Sequence, residues 1–308
     1  MTVPLVTGAT GFAGGHLVEH LLEHHPRVAA WGHPGGKSLP HADGRISWSA
    51  VDVTDRDAVE RSLEDLRPSA IYHCAGIADV HGTWTDSART LRVNVMGTHT
   101  LLGSVERLGL RVPVLVTGSA AVYSPSLEPL AEDSPLAPSS PYGVSKLAQE
   151  MAADLASGHV ILTRPFNHAG PRQSTAQFAS SFARQIAEAE ARGGPATLTV
   201  GNLEVRRDLT DVRDTVRAYR LLVERGHPHQ PYNVCRGEAF RVGDLLDSLI
   251  RQARVPIEVT TDRGRLRPKD NPVVLGDPGR LARDTGWTPT RSIDDTLTDL
   301  LDYWRRHL

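Results

Sequence analysis

The sequence predicts an α/β fold: a doubly wound parallel sheet joined to a smaller C-terminal α/β region. Three observations lead there. Short apolar runs alternate with longer amphipathic stretches from Val3 to Arg164, the rhythm of strands linked by crossover helices. The first run, Val3 to Thr7, passes straight into a glycine-rich turn and a helix, the setting that gives such a turn meaning. Beyond Asn167 the rhythm weakens, and turns rich in Gly, Pro and Arg intervene. The chain therefore divides into 1–166, the sheet domain, and 167–308, mainly a second domain. It is expected to cross back to the sheet around 205–235.

Each element follows from its residues. Gly8-Ala9-Thr10-Gly11-Phe12-Ala13-Gly14 places a glycine at every third position. Such glycines permit a tight turn and close approach of a pyrophosphate. The helix expected over Gly15–Glu23 then turns free N–H groups and its positive end toward that anion. A second strand, Arg27 to Trp31, runs into Gly32-His33-Pro34-Gly35-Gly36-Lys37-Ser38. NAD sites carry an acidic residue here for the adenosine ribose, and this stretch has none. His33 and Lys37 are placed to meet a 2′-phosphate, so NADP(H) is preferred and NAD(H) stays open. The alternative is a solvated Gly/Pro loop with no phosphate role. A third strand, Ile46 to Val53, ends in Asp52-Val53 at a plausible adenine edge, and Asp55 to Leu66 reads as an amphipathic helix. A fourth strand, Ala70 to Ala75, ends in small residues that leave room for a cofactor backbone. One long helix is expected from about Trp84 to Leu108.

The chemistry concentrates between Thr117 and Lys146. An apolar strand, Val112 to Thr117, runs into a small-residue turn carrying Ser119, and a helix from Pro141 carries Tyr142 and Lys146. Residues four apart share a helical face. A tyrosine phenol, with a pKa of about 10, is a poor acid or base near neutrality; an ammonium one turn away favours the phenolate and lowers that value. A serine hydroxyl at a strand end can polarise a carbonyl that the tyrosine protonates. Tyr-x-x-x-Lys occurs on many surface helices; Ser119 and the glycine turn give it weight here.

After this helix, a strand from His159 to Arg164 enters Pro165-Phe166-Asn167-His168-Ala169-Gly170-Pro171. Loops at strand C-termini face the ligand crevice of such sheets. Asn167 can bond a sugar or phosphate. His168 suits cofactor, sugar or a purely structural hydrogen bond. A helix over Gln177–Ala191 and a strand over Thr197–Val200 lead to Glu204-Val205-Arg206-Arg207-Asp208, read as an Arg-rich turn. Such a turn can grip phosphate bidentately or pair with Asp208 or Asp211.

With 34 Lys and Arg against 36 Asp and Glu, the formal charge is −2, which offers no broad basic field for nucleic acid. Cys74 and Cys235 both lie in apolar runs, and no disulfide framework is expected. No apolar run reaches membrane-spanning length, and no metal-ligand pattern stands out. Met1 leads almost directly into the first strand, leaving no room for a signal peptide. The expectation is a reduced, cytoplasmic protein.

Taken together, these motifs resemble the extended short-chain dehydrogenase/reductases that modify nucleotide sugars. The resemblance covers essentially the whole chain: GATGFAG, Asp52-Val53, the Ser119 turn, YGVSK, RPFN, RRD, RPKD and GDPGRLARDTGWTP. RPFNHAGPRQS and LTVGNLEVRRDLTDVRD look like the branch of GDP-mannose 4,6-dehydratases and GDP-4-keto-6-deoxy-mannose reductases. The resemblance implies a Rossmann domain with Ser119, Tyr142 and Lys146 catalytic. It implies cofactor contacts that add Thr117, Ala75, Pro165 and His168 to the glycine turn. It also implies that Asn167, Arg207 and Arg267 hold a nucleotide diphosphate, with Ser119 and Val200 at the substrate, and a homodimer through the two long helices.

One position separates the family's reactions. Two residues after the serine, 4,6-dehydratases carry a carboxylate and GDP-fucose synthase a cysteine; here it is Ala121. Alanine can neither remove the C5 proton nor run a 3,5-epimerisation. A simple 4-keto reduction needs only hydride and the Ser/Tyr/Lys relay. The expected activity is NAD(P)H-dependent reduction of a GDP-4-keto-6-deoxyhexose, giving GDP-D-rhamnose or its C4 epimer GDP-6-deoxy-D-talose. An NAD-dependent 4-epimerase also tolerates Ala here. A nicotinamide-sensing regulator is the rival from another class, although such proteins commonly lack the Tyr or Lys.

Overall fold

The structure is a computed structural model and describes residues 3–36, 44–78, 82–262, 264 and 271–308. The first half alternates strand and helix: β1 (Pro4–Thr7), α1 (Phe12–Leu22), β2 (Val28–Gly32), β3 (Ile46–Ala50), α2 (Arg56–Leu66) and β4 (Ala70–His73). Then come α3 (Ser87–Leu91), α4 (Gly97–Arg107), β5 (Val114–Thr117), α5 (Pro141–Asp154) and β6 (Val160–Pro165). All strand pairs of the main sheet are parallel. A strand joined to its parallel neighbour needs a crossover, which the intervening helices supply. Apolar residues fill both faces, among them Leu5, Val6, Ile71 and Leu115, each fully buried, as expected for a sheet covered on both sides.

The second half adds β7 (Asn167–Ala169), α6 (Phe178–Arg192), β8 (Ala196–Val200), β9 (Arg206–Asp211), α7 (Val212–Arg225) and β10 (Pro231–Val234). It closes with β11 (Ala239–Arg241), α8 (Val242–Ile250), β12 (Ile257–Thr261), β13 (Val273–Val274), α9 (Gly279–Thr285) and α10 (Ile293–Arg306). β10 returns to the main sheet beside β6, completing the order β10-β6-β5-β4-β1-β2-β3. The order reverses at β1, which has β2 on one side and β4 on the other; the crevice above such a switch point is where ligands bind. β9 pairs with β7, β11 and β13, and β8 with β12. Helices α6, α8 and α10 bury Phe182, Ile186, Leu245, Leu249, Leu297 and Leu301 in a separate core. Each fully buried leucine there is worth roughly 1.5–3 kcal/mol.

Three expectations shift. Helix α1 begins at Phe12, so Gly14 and Gly15 lie inside it. The long helix expected from Trp84 is two α-helices joined by a π-helical turn, Arg92–Met96, a local widening that often marks a functional position. The Arg-rich segment read as a turn is largely strand β9, whose backbone pairs with β11, β13 and β7. Cys74 and Cys235 are free thiols. Among the described residues no helix is long and apolar enough to cross a membrane.

Candidate active site

The turn after β1 lies directly on the end of β4. Gly8 has φ +65°, and a Cβ there would stand 2.6 Å from the Ala75 backbone, so only glycine suits both the conformation and the contact. Gly11 caps α1 without any side-chain bond, and the first turn carries no acidic residue. Helix N-terminal N–H groups without a side-chain cap suit a pyrophosphate. Ala75 N donates to Thr7 Oγ1 (3.2 Å). Phe12 lies over His168 with rings 5.7 Å apart and nearly parallel. His168 Nδ1 is 3.0 Å from Phe166 O, which makes Nδ1 the donor and leaves Nε2 as acceptor. Burial lowers its pKa, so the ring is neutral. The histidine thus serves the fold through one nitrogen and lies beside the cofactor turn.

At the other end of the cradle Thr10 packs on Gly32. Asp52 Oδ1 accepts from Thr54 N (2.9 Å) and Thr54 Oγ1 (2.8 Å). Exposed His33 stands 3.7 Å from Asp52 Oδ2. Val53 is buried and lies against Gly97 of α4. Pro165 ends β6 opposite Val234. Lys37 and Arg267 lie outside the described residues. The uncapped helix end and the absence of a carboxylate between Trp31 and Lys37 fit a dinucleotide, NADP included.

Ser119 leaves β5 as the cap of a short 3₁₀ turn, its Oγ accepting from Ala121 N (3.1 Å). Helix α5 starts cleanly because Ser140 Oγ accepts from Gly143 N (3.1 Å) and Pro141 occupies the first turn. A Cβ on Gly143 would lie 2.4 Å from Ala121 O. Glycine therefore lets α5 rest on the serine turn, which brings the Tyr142 side chain near Ser119. Burial pushes the Tyr142 phenol up, and the Ser119 hydroxyl pulls it back in part. Lys146 Nζ donates to Thr117 O (2.8 Å) and Gln149 Oε1 (2.9 Å). Burial brings the ammonium down to about 8. The expected lysine-lowered phenol is therefore not how the site rests: Lys146 points at Thr117 and Gln149, and desolvation dominates at Tyr142. A phenol held protonated is the form that can act as an acid.

Asn167, Gln173, Gln177, Phe178 and Leu209 line a small cleft. Gln173 Nε2 donates to His168 O (2.6 Å), while its buried Oε1 has no partner among the described residues. Arg207 Nη1 donates to Arg206 O (2.9 Å) and Asn271 O (2.8 Å). Asp208 accepts backbone N–H groups from Arg236, Gly237 and Gly276, and Asp211 holds Arg213. Val200 is 1% exposed inside the second core, so its side chain presents nothing to a ligand.

Several polar residues of the site escape sequence reasoning. Asn94, in the π-turn, accepts from Ile77 N (2.7 Å) and donates to Ser145 Oγ (3.0 Å), which donates to Tyr142 O (2.7 Å). Gln149, three residues after Lys146, carried a visible signal, an amide one turn along the same helix.

Similarity to known proteins agrees with this arrangement. The GDP-6-deoxy-D-mannose reductase of Pseudomonas aeruginosa is 34% identical over 306 residues, 97% of this chain and 96% of the relative. The UDP-glucose 4-epimerase of Mycolicibacterium smegmatis is 28% identical, covering 98% of each chain. The solved structure of RMD from P. aeruginosa complexed with NADPH superposes with a TM-score of 0.87 at 32% identity, covering all of both chains. The model of the GDP-mannose 4,6 dehydratase family matches residues 5–300, from the glycine cradle through the Ser/Tyr/Lys cluster to the last helix, and the chain belongs to that family of extended short-chain dehydrogenase/reductases.

Proposed function

We propose that this protein reduces the C4 keto group of a GDP-4-keto-6-deoxyhexose with NADPH, giving GDP-D-rhamnose or GDP-6-deoxy-D-talose; NADH is the lesser alternative. The observation that carries the reading is the buried Tyr142 phenol at the start of α5, near Ser119 of the turn that α5 rests on, beside a side chain, Ala121, that can do no acid–base work. The relative named GDP-6-deoxy-D-mannose reductase supports the substrate.

The nicotinamide cofactor supplies hydride. Everything else is done by the chain. Ser119 Oγ orients the carbonyl oxygen and donates to it. Tyr142 gives its proton to that oxygen as negative charge develops, a contribution of about 10²–10⁴-fold in general. Lys146 stabilises the phenolate left behind and holds the nicotinamide ribose. Asn167, Arg207 and Arg267 are assigned to the nucleotide diphosphate. Hydride, the tyrosine proton and two unchanged carbon substituents complete the alcohol, so no base at position 121 is needed.

The 4-epimerase reading draws on the UDP-glucose 4-epimerase of Thermus thermophilus complexed with NAD, similar at a TM-score of 0.85 and 25% identity. Purified protein mixed with GDP-4-keto-6-deoxy-mannose and NADPH distinguishes the two. Stoichiometric loss of reduced-nicotinamide absorbance is expected; its absence, with interconversion of an intact nucleotide sugar, moves the assignment to epimerase.

A homodimer is part of the proposal. Val144, Met151 and Leu155 lie exposed along one side of α5, and Leu91 and Met96 are exposed on the neighbouring helical segment. Their spacing forms one apolar stripe, which a second copy would cover. Light scattering should give twice the chain mass, and Met151→Asp with Leu155→Asp should halve it; a wild-type monomer refutes the dimer.

A further inference from the structure

Lys146 sits in a fully buried polar chain that the reaction scheme above does not use. Gln149 Oε1 accepts from Lys146 Nζ (2.9 Å), and Gln149 Nε2 donates to Thr98 Oγ1 (2.9 Å). His73 Nε2 lies 2.9 Å from the same Thr98 Oγ1, and His73 Nδ1 lies 2.8 Å from Thr7 Oγ1. Gln149, Thr98, His73 and Thr7 are all 0% exposed. Strand β1, strand β4, helix α4 and helix α5 each contribute to this chain.

The directions of these bonds can be assigned. The Thr98 hydroxyl gives its one proton to Asn94 O (2.8 Å), so it accepts from both Gln149 and His73. His73 is therefore protonated on Nε2 and accepts from Thr7 on Nδ1; Thr7 in turn accepts from Ala75 N. Donors converge on Thr98 from two sides. A proton cannot run along such a chain without reversing it, so it acts as a scaffold rather than a wire. Its free end is the amide oxygen turned to Lys146.

We propose that Gln149 is a positioning residue of the catalytic apparatus: its Oε1 holds the Lys146 ammonium charged and aimed, and the buried Thr98–His73–Thr7 chain holds Gln149. This rests on the reading of Lys146 as the partner of Tyr142. The ammonium has two neutral acceptors, Thr117 O and Gln149 Oε1, against the cost of burial. The titratable groups facing it are Cys74 and His73 at the end of β4. Burial raises the Cys74 thiol to about 12 and lowers His73 to about 3, so both are neutral near pH 7. Among the other elements packed against α5, Arg164 of β6 is paired with Glu150, while Arg89 of α3, Arg92 of the π-turn and His99 of α4 are exposed. The amide oxygen is thus one of two neutral acceptors that favour the charged lysine, Cys74 favouring it only through the charge it carries when ionised.

A charge-assisted hydrogen bond is strong enough to move a pKa by about one unit or more. The chain contains three lysines, Lys37, Lys146 and Lys269, so protein labelled with ¹³Cε-lysine gives a resolved titration. Lys146→Arg removes and thereby assigns the perturbed resonance. In Gln149→Met the Lys146 midpoint should fall by about one pH unit, and in Gln149→Glu it should rise. The alkaline limb of kcat, where the ammonium is lost, should move in the same two opposite directions. Loss of packing alone would lower kcat at every pH and leave the midpoint in place. Unmoved midpoints in both variants overturn the proposal. Wild-type turnover in Tyr142→Phe would instead overturn the underlying catalytic reading, independently of the lysine titration.

Discussion

Adding one methyl group at Gly143 should disable the active site without unfolding the protein. A Cβ there would lie 2.4 Å from Ala121 O and 2.9 Å from Pro138 Cβ, whereas ordinary contact starts at 3.4 Å. Helix α5 and the Ser119 turn must separate by about 1 Å, the difference between 3.4 and 2.4 Å. Neither side can give cheaply. The opposing atom is a backbone carbonyl, Tyr142 and Ser145 are buried in the same helix, and Ser119 caps the turn it comes from. Tyr142 and Ser119 belong to these two elements, so their separation grows with them. A misplacement of about 1 Å at a reacting group can cost on the order of 10²-fold in rate, or about 2.7 kcal/mol of barrier. Steady-state kcat for NADPH-dependent reduction in Gly143→Ala should fall by about that factor. NADPH affinity, measured by fluorescence quenching, should stay near wild type, because the cradle at Gly8–Gly14 is untouched. Wild-type kcat in a folded Gly143→Ala variant would refute the claim that this close contact aligns the acid.

Three further perturbations have defined outcomes. Tyr142→Phe should lower kcat by about 10²-fold or more with NADPH binding retained; unchanged turnover removes Tyr142 as the acid. Glu150→Gln leaves Arg164 buried without its carboxylate, although its bonds to Tyr123 Oη (2.9 Å) and Glu132 O (2.8 Å) remain. Urea denaturation should show a loss of about 3–5 kcal/mol, and a loss near zero contradicts the assignment of a buried, interdependent pair. Burial lowers His73 from 6.5 to about 3, so between those values the unfolded chain binds a proton that the native chain refuses. Stability is therefore present above pH 6.5 and falls as pH drops below it, by at most about 1.4 kcal/mol per pH unit from this histidine. His73→Gln should make that acid slope shallower by one proton, and an identical slope would show that His73 does not titrate on unfolding.

Much of this molecule is legible in local pattern. Glycine spacing after Val3–Thr7 marks the cradle because only a strand, a tight turn and a helix can follow one another so closely. Tyr142 and Lys146 declare themselves by their four-residue spacing. Their partners do not. Thr7, His73 and Thr98 are scattered along the chain and meet one another and Gln149 only because the parallel sheet sets the ends of β1 and β4 side by side beneath α4 and α5. The Arg206–Asp211 segment looks like a turn because it is charged, yet it is a strand whose Asp208 is consumed by backbone N–H groups. Phenol acidity was also beyond the sequence: burial of Tyr142 and the aim of Lys146 are tertiary facts. Val200, which the resemblance places at the substrate, has its side chain in the second core, a tertiary fact the sequence does not show.

The most direct test follows hydride itself. NADPH deuterated at the transferred C4 position would be incubated with GDP-4-keto-6-deoxy-mannose, and the product sugar examined by NMR. Deuterium at C4 of a 6-deoxyhexose, in one configuration and equal in amount to the NADP⁺ formed, is the expected result. No deuterium in the sugar, with the cofactor unconsumed and an intact nucleotide sugar inverted at C4, would contradict the reductase assignment.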